Sequence, residues 1–251
     1  MPTPHATGTE ATSGRRTQIA EGLASVRSRI AAAAAAAGRP AQAVTLVVVT
    51  KTYPASDVAH LVALGVTDVG ENRDQEAAAK AAALAAAGVR PHWHFIGQVQ
   101  RNKVRSVVTY ADTVQSVDSV RLVAALDTAA GRLRSAPLDV LVQVSLDGAA
   151  GRGGAVPGSP DPDTGLDRVL AAVAAAPALR LRGLMAVAPL GAEPAVAFDR
   201  LHRTARQVRA AYPEAELLSA GMSGDLEAAV ACGATHVRVG SAVLGLRARP
   251  G

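Results

Sequence analysis

The 251-residue chain contains a single cysteine, Cys232. It therefore has no intrachain disulfide; a disulfide-stapled secreted scaffold is excluded, and a reducing cytoplasm is the expected compartment. Aromatic residues make up only 2% of the chain, too few for the interleaved stacking platforms that bind single-stranded nucleic acid. No stretch approaches the ~18 consecutive apolar residues of a membrane span. The alanine run Ala31–Ala37 is short and lies between Arg29 and Arg39. The opening MPTPHATGTEATSGRR has no apolar h-region and reads as a frayed tail rather than a signal peptide. None of the lysines follows a glycine, so the GxxxxGK[ST] phosphate loop is missing as well. Lysine is itself scarce, with three against 23 arginines. A net charge of +5 and a pI near 10 then describe a basic, solvated, arginine-rich surface and no nucleic-acid footprint.

Apolar residues are abundant, at 49% against 19% charged, which supplies a core and excludes disorder as the main state. Short apolar runs alternate with longer amphipathic ones. Arg15–Ala37 reads as a helix stopped by Gly38, and Val44–Thr50 as a strand buried on both faces. Further strands fall at Val66–Val69, His92–Ile96, Thr113–Val117, Leu138–Ser145, Leu181–Ala186, Glu216–Ser219 and Thr235–Val239, with helical patterns between them. Asp147–Thr164, rich in Gly, Pro and Asp, reads as a mobile loop. Eight βα units fit a single (β/α)8 TIM barrel better than a doubly wound sheet. The glycine fingerprint of the latter is absent after the first strand, where the chain reads TKTYP. The expected organisation is a disordered tail over 1–14 and one α/β barrel domain over 15–251.

Chemistry in such barrels sits at the C-terminal ends of the strands. Here those ends are Lys51, Glu71 and Asn72, His94–Gly97, Ser116, Ser145, Met185, Ser219–Ser223, and Gly240 with Ser241. Lys51 ends a β-branched run, whereas Lys80 and Lys103 lie in helical patterns and read as solvated. As a nucleophile towards an aldehyde Lys51 must be neutral, which costs about 4–5 kcal/mol at pH 7 from an ordinary pKa near 10.4. Partial burial and a nearby guanidinium push that way; a snorkelling or ion-paired lysine is the plain alternative.

The turn Gly221-Met222-Ser223-Gly224-Asp225 opens a helix and Gly240-Ser241 opens a short apolar stretch. Backbone amides and hydroxyls there suit a phosphate, as between the seventh and eighth strands of many barrels; simple capping by Ser223 is the alternative. Alternation in Thr235–Val239 turns Val237 and Val239 to the helices and His236 and Arg238 into the barrel. A buried guanidinium there needs an acceptor, either a structural carboxylate or a ligand atom. His92 and His94 share a strand face as paired metal ligands do, but no further His, Asp or Glu completes a set in the sequence, and no metal is expected. Cys232 reads as a small apolar filler.

VVVTKTYP, GENRDQE, HWHFIGQVQRNK, LRGLMAVAP, LSAGMSGDLEAAV and HVRVGSAVLG occur in order from Val47 to Gly245. Together these motifs resemble the pyridoxal phosphate homeostasis proteins, which are related to the N-terminal barrel of alanine racemase. The resemblance implies that barrel, of the fold-type III class. It implies pyridoxal 5′-phosphate as cofactor, with Lys51 at the place of the lysine that forms the internal aldimine. It places Met222, Ser223, Gly240 and Ser241 at the phosphate cradle, Arg238 facing the pyridine nitrogen and Asn72 near the cofactor. Ser241 stands where the family usually has Thr, and Arg73-Asp74 replace a more usual aromatic and apolar pair. Gly151-Arg152-Gly153-Gly154 replace a loop that more typically carries Lys.

Two functions of different classes follow. One is a non-catalytic carrier or buffer of pyridoxal phosphate, monomeric and cytoplasmic, handing the cofactor to apo-enzymes that use it. The other is an amino-acid racemase or similar enzyme. A racemase needs an acid/base on each face of the substrate Cα, and the C-terminal domain that alanine racemase uses for this is not expected in a chain ending at Gly251. A third, metal-dependent hydrolase reading rests on His92 and His94 alone.

Overall fold

The alternation of apolar runs becomes, in a computed structural model describing residues 7–148 and 153–245, a closed ring of eight parallel strands. These are β1 (Thr45–Val49), β2 (Asp68–Glu71), β3 (His92–Phe95), β4 (Thr113–Val117), β5 (Leu138–Gln143), β6 (Leu179–Met185), β7 (Leu217–Ser219) and β8 (His236–Val239). Each strand bonds to the next, and β8 closes onto β1 with Val47 opposite Arg238. The helices are α1 (Thr7–Ala36), α2 (Ala55–Ala63), α3 (Asp74–Ala86), α4 (Val104–Tyr110), α5 (Val120–Leu133), α6 (Leu166–Ala174), α7 (Pro194–Ala211), α8 (Leu226–Ala231) and α9 (Ser241–Leu244). The expected TIM barrel is therefore the observed fold.

Period decides which face of each element is covered. Along α1, Ile19, Leu23, Val26, Ile30 and Ala34 recur at steps of three and four and are all buried. They join Val48, Val69, Val237 and Val239, the outward residues of β1, β2 and β8, together with Leu226, Val243 and Leu244. A Cβ on Gly22 would lie 2.3 Å from the Val243 carbonyl oxygen, so only glycine lets α1 come this close to α9. A second cluster joins Val114, Val140, Val142 and Leu184 to Val107, Leu126, Leu170, Phe198 and Leu201. Both clusters occupy the layer between strands and helices.

Two expectations change. α1 begins at Thr7, so the tail expected over 1–14 is helical backbone from Thr7 onwards; residues 1–6 lie outside the described ones. Extending an existing helix costs far less than nucleating one, so Glu10 and Ala11 are carried along with it. The loop expected to be mobile over Asp147–Thr164 includes residues 149–152, which are not described. From Gly153 on it is tied down: Val144 bridges Ala155 and Val156 bridges Gly165. The Asp161 carboxylate caps its end by accepting from the amides of Asp163 and Thr164.

Candidate functional site

Strand parity sets the barrel mouth. On β1 and β2, Val47, Val49 and Gly70 face each other in the lumen, where a Cβ on Gly70 would touch both valines. Lys51 and Asn72 lie two residues past Val49 and Gly70, at the C-terminal rim of the barrel. Lys51 is exposed there, contrary to the partial burial expected, because β1 ends at Val49 and the chain turns at once through Thr52, whose φ is +68°. Asn72 is half-buried and held by Gly97, where a Cβ would lie 2.1 Å from the Asn72 carbonyl oxygen. Its Oδ1 is buried and has no hydrogen-bond partner.

Lys80, expected in solvent, is instead buried between β2 and α3. Its ammonium donates to Glu71 Oε1 at 2.7 Å, Glu76 Oε1 at 2.6 Å and the Thr50 carbonyl at 2.8 Å. Thr50 Oγ1 donates to the same Glu71 oxygen at 2.6 Å, while Glu71 Oε2 has no partner. Burial raises the Glu71 carboxyl above its ordinary value, against the pull of Lys80 and Thr50. The cluster clamps the β1 end, and so the start of the Lys51 turn, to α3.

On the same rim, next to the end of β1, the loops after β7 and β8 meet. The Ser241 hydroxyl donates to the Ser223 hydroxyl at 3.3 Å. Ser223 does not cap α8, which starts three residues later behind Asp225. Asp225 instead turns its carboxylate back to accept from the Met222 amide, while Met222 is exposed. Arg29 from α1 anchors the loop, donating to the Ser223 carbonyl at 3.0 Å and pairing with Glu227. A Cβ on Gly240 would lie 3.1 Å from the Val49 carbonyl oxygen, so the β8 end hugs β1 beside the Lys51 turn.

Below this rim, on β8, Arg238 is buried, and its acceptors are neutral. It donates to Ser219 Oγ at 2.7 Å and to the Ala186 carbonyl at 2.8 Å. The structural carboxylate considered from sequence is thus not a direct partner. Burial pushes the guanidinium down to about 10, still charged at neutral pH. Sequence reasoning missed what lies beneath it. Ser219 Oγ donates to Gln115 Oε1 at 2.7 Å, Gln115 Nε2 meets His94 Nδ1 at 2.8 Å, and His94 Nε2 meets Asp68 Oδ1 at 2.9 Å. Asp68 also completes, with His92 and His94, a group able to hold a metal ion, which the sequence did not reveal. The only local signal was Gln115 itself, an amide at the centre of a strand that is buried throughout.

Asn72, Arg73 and Asp74 also open onto a cleft of about 580 Å³ beside the mouth, shared with Gln98, Gln100 and Lys103. The two residues that depart from the family pattern after GEN therefore border this polar cleft.

The chain matches the family described as alanine racemase, N-terminal domain, over residues 22–248. It is 48% identical over 243 residues to the pyridoxal phosphate homeostasis protein of Mycobacterium leprae, covering 92% of this chain and 93% of that one. The chain belongs to the pyridoxal phosphate homeostasis protein family. A solved structure with pyridoxal phosphate bound, PipY of Synechococcus elongatus, is 34% identical with a TM-score of 0.74, covering 90% of this chain and all of that one. The alanine racemase of Streptomyces coelicolor shares the fold, at 23% identity and a TM-score of 0.65, and this chain covers 59% of its length. The motifs that carry this membership contain Lys51, Asn72, Met222, Ser223, Arg238, Gly240 and Ser241, and the fold brings them around one mouth.

Proposed function

We propose that this protein binds pyridoxal 5′-phosphate at the barrel mouth and serves in its homeostasis as a carrier and buffer rather than as a catalyst. The observation that carries this reading is the convergence on one rim of an accessible lysine, a buried guanidinium with neutral acceptors, and paired serines next to a glycine. The residues fit the group. Asn72 Oδ1, buried without a partner, is an acceptor awaiting a donor. The Ser223 and Ser241 hydroxyls, 3.3 Å apart, converge where a phosphate would sit, and Gly240 lets the β8 end close on β1 beside them.

Pyridoxal phosphate would supply an aldehyde there, and Lys51 is the amine placed to hold it. Arg238 can only donate, so a pyridine nitrogen facing it would be held unprotonated. An acidic partner would instead favour the pyridinium, the stronger electron sink. The reading favours storage and release over carbanion chemistry, with apo-forms of pyridoxal phosphate enzymes as recipients and a cytoplasmic monomer as the working form.

The test is borohydride reduction of protein soaked with pyridoxal phosphate, followed by peptide mapping. The trapped mass is expected on the peptide carrying Lys51 and is absent in Lys51→Ala. A colourless protein that gains no mass overturns the reading. Sustained, Lys51-dependent exchange of an amino acid's Cα hydrogen for deuterium would replace the carrier with a racemase-type enzyme.

A further inference from the structure

The contacts beneath Arg238 form a single chain whose direction is fixed by chemistry. A guanidinium has no lone pair to offer, so Ser219 Oγ must accept from Arg238, leaving its one proton for the Gln115 oxygen. That sets the Gln115 amide with its NH2 towards His94. His94 Nδ1 must then be a bare acceptor, and the ring proton sits on Nε2, donated to Asp68. Thr67 Oγ1 donates to the other Asp68 oxygen at 2.6 Å. A cation lies at one end and a carboxylate at the other, with three neutral groups between them. Ser219, Gln115 and His94 are all buried, so each is costly to leave unpaired.

We propose that Ser219, Gln115, His94 and Asp68 are a directional positioning relay that aims Arg238 at the cofactor's ring nitrogen and locks His94 as its neutral Nε2–H tautomer. The proposal rests on the functional reading above. Placing Asp68 four hydrogen bonds away leaves Arg238 uncompensated by any direct carboxylate contact, so its remaining donor capacity serves the ring. The shifts agree with this polarity. Burial lowers His94, outweighing the hydrogen bond it donates to Asp68, which would raise it, with His92 4.7 Å away ring to ring also opposing a second charge. Burial works to raise Asp68, but hydrogen bonds from His94 and Thr67 prevail and hold it below its ordinary value. The same polarity argues against a metal on Asp68, His92 and His94, since the His94 Nε2 lone pair a metal would need already carries the proton.

The test is ¹⁵N NMR of the full chain labelled at histidine, with His94 assigned by its loss in His94→Gln. The wild type is expected to show a bare Nδ1 and a protonated Nε2 at neutral pH. A protonated Nδ1, or stoichiometric zinc binding that deprotonates Nε2, overturns the relay, and neither reading needs the cofactor. In Gln115→Glu an oxygen faces Nδ1, and His94 is expected to become doubly protonated. Gln115→Met is expected to bind pyridoxal phosphate about tenfold more weakly with an altered visible band, as when one hydrogen bond to a charged group is lost. Asp68→Asn keeps an oxygen for Nε2–H and is expected to retain the band. Wild-type uptake with Gln115→Met unchanged in band and affinity sinks the relay alone. No uptake by the wild type sinks the functional reading and the purpose of the relay with it.

Discussion

On their outer faces β1, β2 and β8 present Val48, Val69, Val237 and Val239 to an apolar cluster shared with the surrounding helices, α1 among them. In the lumen, Asp68 of β2, His94 of β3, Gln115 of β4, Ser219 of β7 and Arg238 of β8 are joined end to end by hydrogen bonds. Barrel lumens are usually filled by bulky branched side chains, so the departure marks the half of the molecule given to function. The outer layer is held by area, which is non-directional and tolerates exchange of similar volumes. The inner one is held by donor and acceptor order, in which one wrong atom strands its neighbours. The outer layer therefore stores most of the stability, and the inner one determines what the mouth can bind.

The sharpest way to break this contrast is a large truncation outside. Phe198, fully buried in the outer cluster, should cost about 3–5 kcal/mol as Phe198→Ala in urea unfolding, with the cofactor band unmoved. A loss below ~1 kcal/mol would remove the outer layer from its role. Next comes acid. His236 enters the lumen on β8, facing His94, His92, Asp68 and Arg238, and burial pushes it from an ordinary 6.5 down to about 4. Between those values the unfolded chain binds the proton and the folded one does not. Stability present above pH 6.5 is therefore lost as pH falls towards 4, by about 2–3 kcal/mol. Denaturation midpoints measured across that window should fall in the wild type and flatten in His236→Gln. The smallest effect is expected at the rim: Lys51→Ala, at an exposed turn, should change stability by no more than ~0.5 kcal/mol while abolishing covalent capture. A thermal midpoint that drops by many degrees would mean that Lys51 has a structural partner.

Legibility followed the same division. Thr113–Val117 is a strand with the ends that its pattern implies, and Val237 and Val239 face the helices as alternation requires. Local polar cues misled more often. Asp57 is of a type that caps helices, yet α2 starts at Ala55 behind Pro54, and Asp57 within it pairs with Arg15 at 2.6 Å. Ser223 looked like a cap and turns to Ser241 instead. Lys80 sits in an alanine-rich helical run that reads as solvated, and only the approach of α3 to β2 gives it Glu71. In each case a side chain able to cap or solvate locally found a partner in another element of the fold.

The amino-acid order by itself determined where strands and helices fall and which face of each is apolar, because periods of 2 and 3.6 are properties of neighbours. It also supplied the motifs that bring Lys51, Asn72, Arg238 and the two serines to one rim. Only the closed barrel decided who meets whom across the lumen: Gln115 bridges His94 and Ser219, the latter 104 positions away. Such pairings depend on how far the strands stagger when the sheet closes on itself, and no local pattern in the chain records that shift.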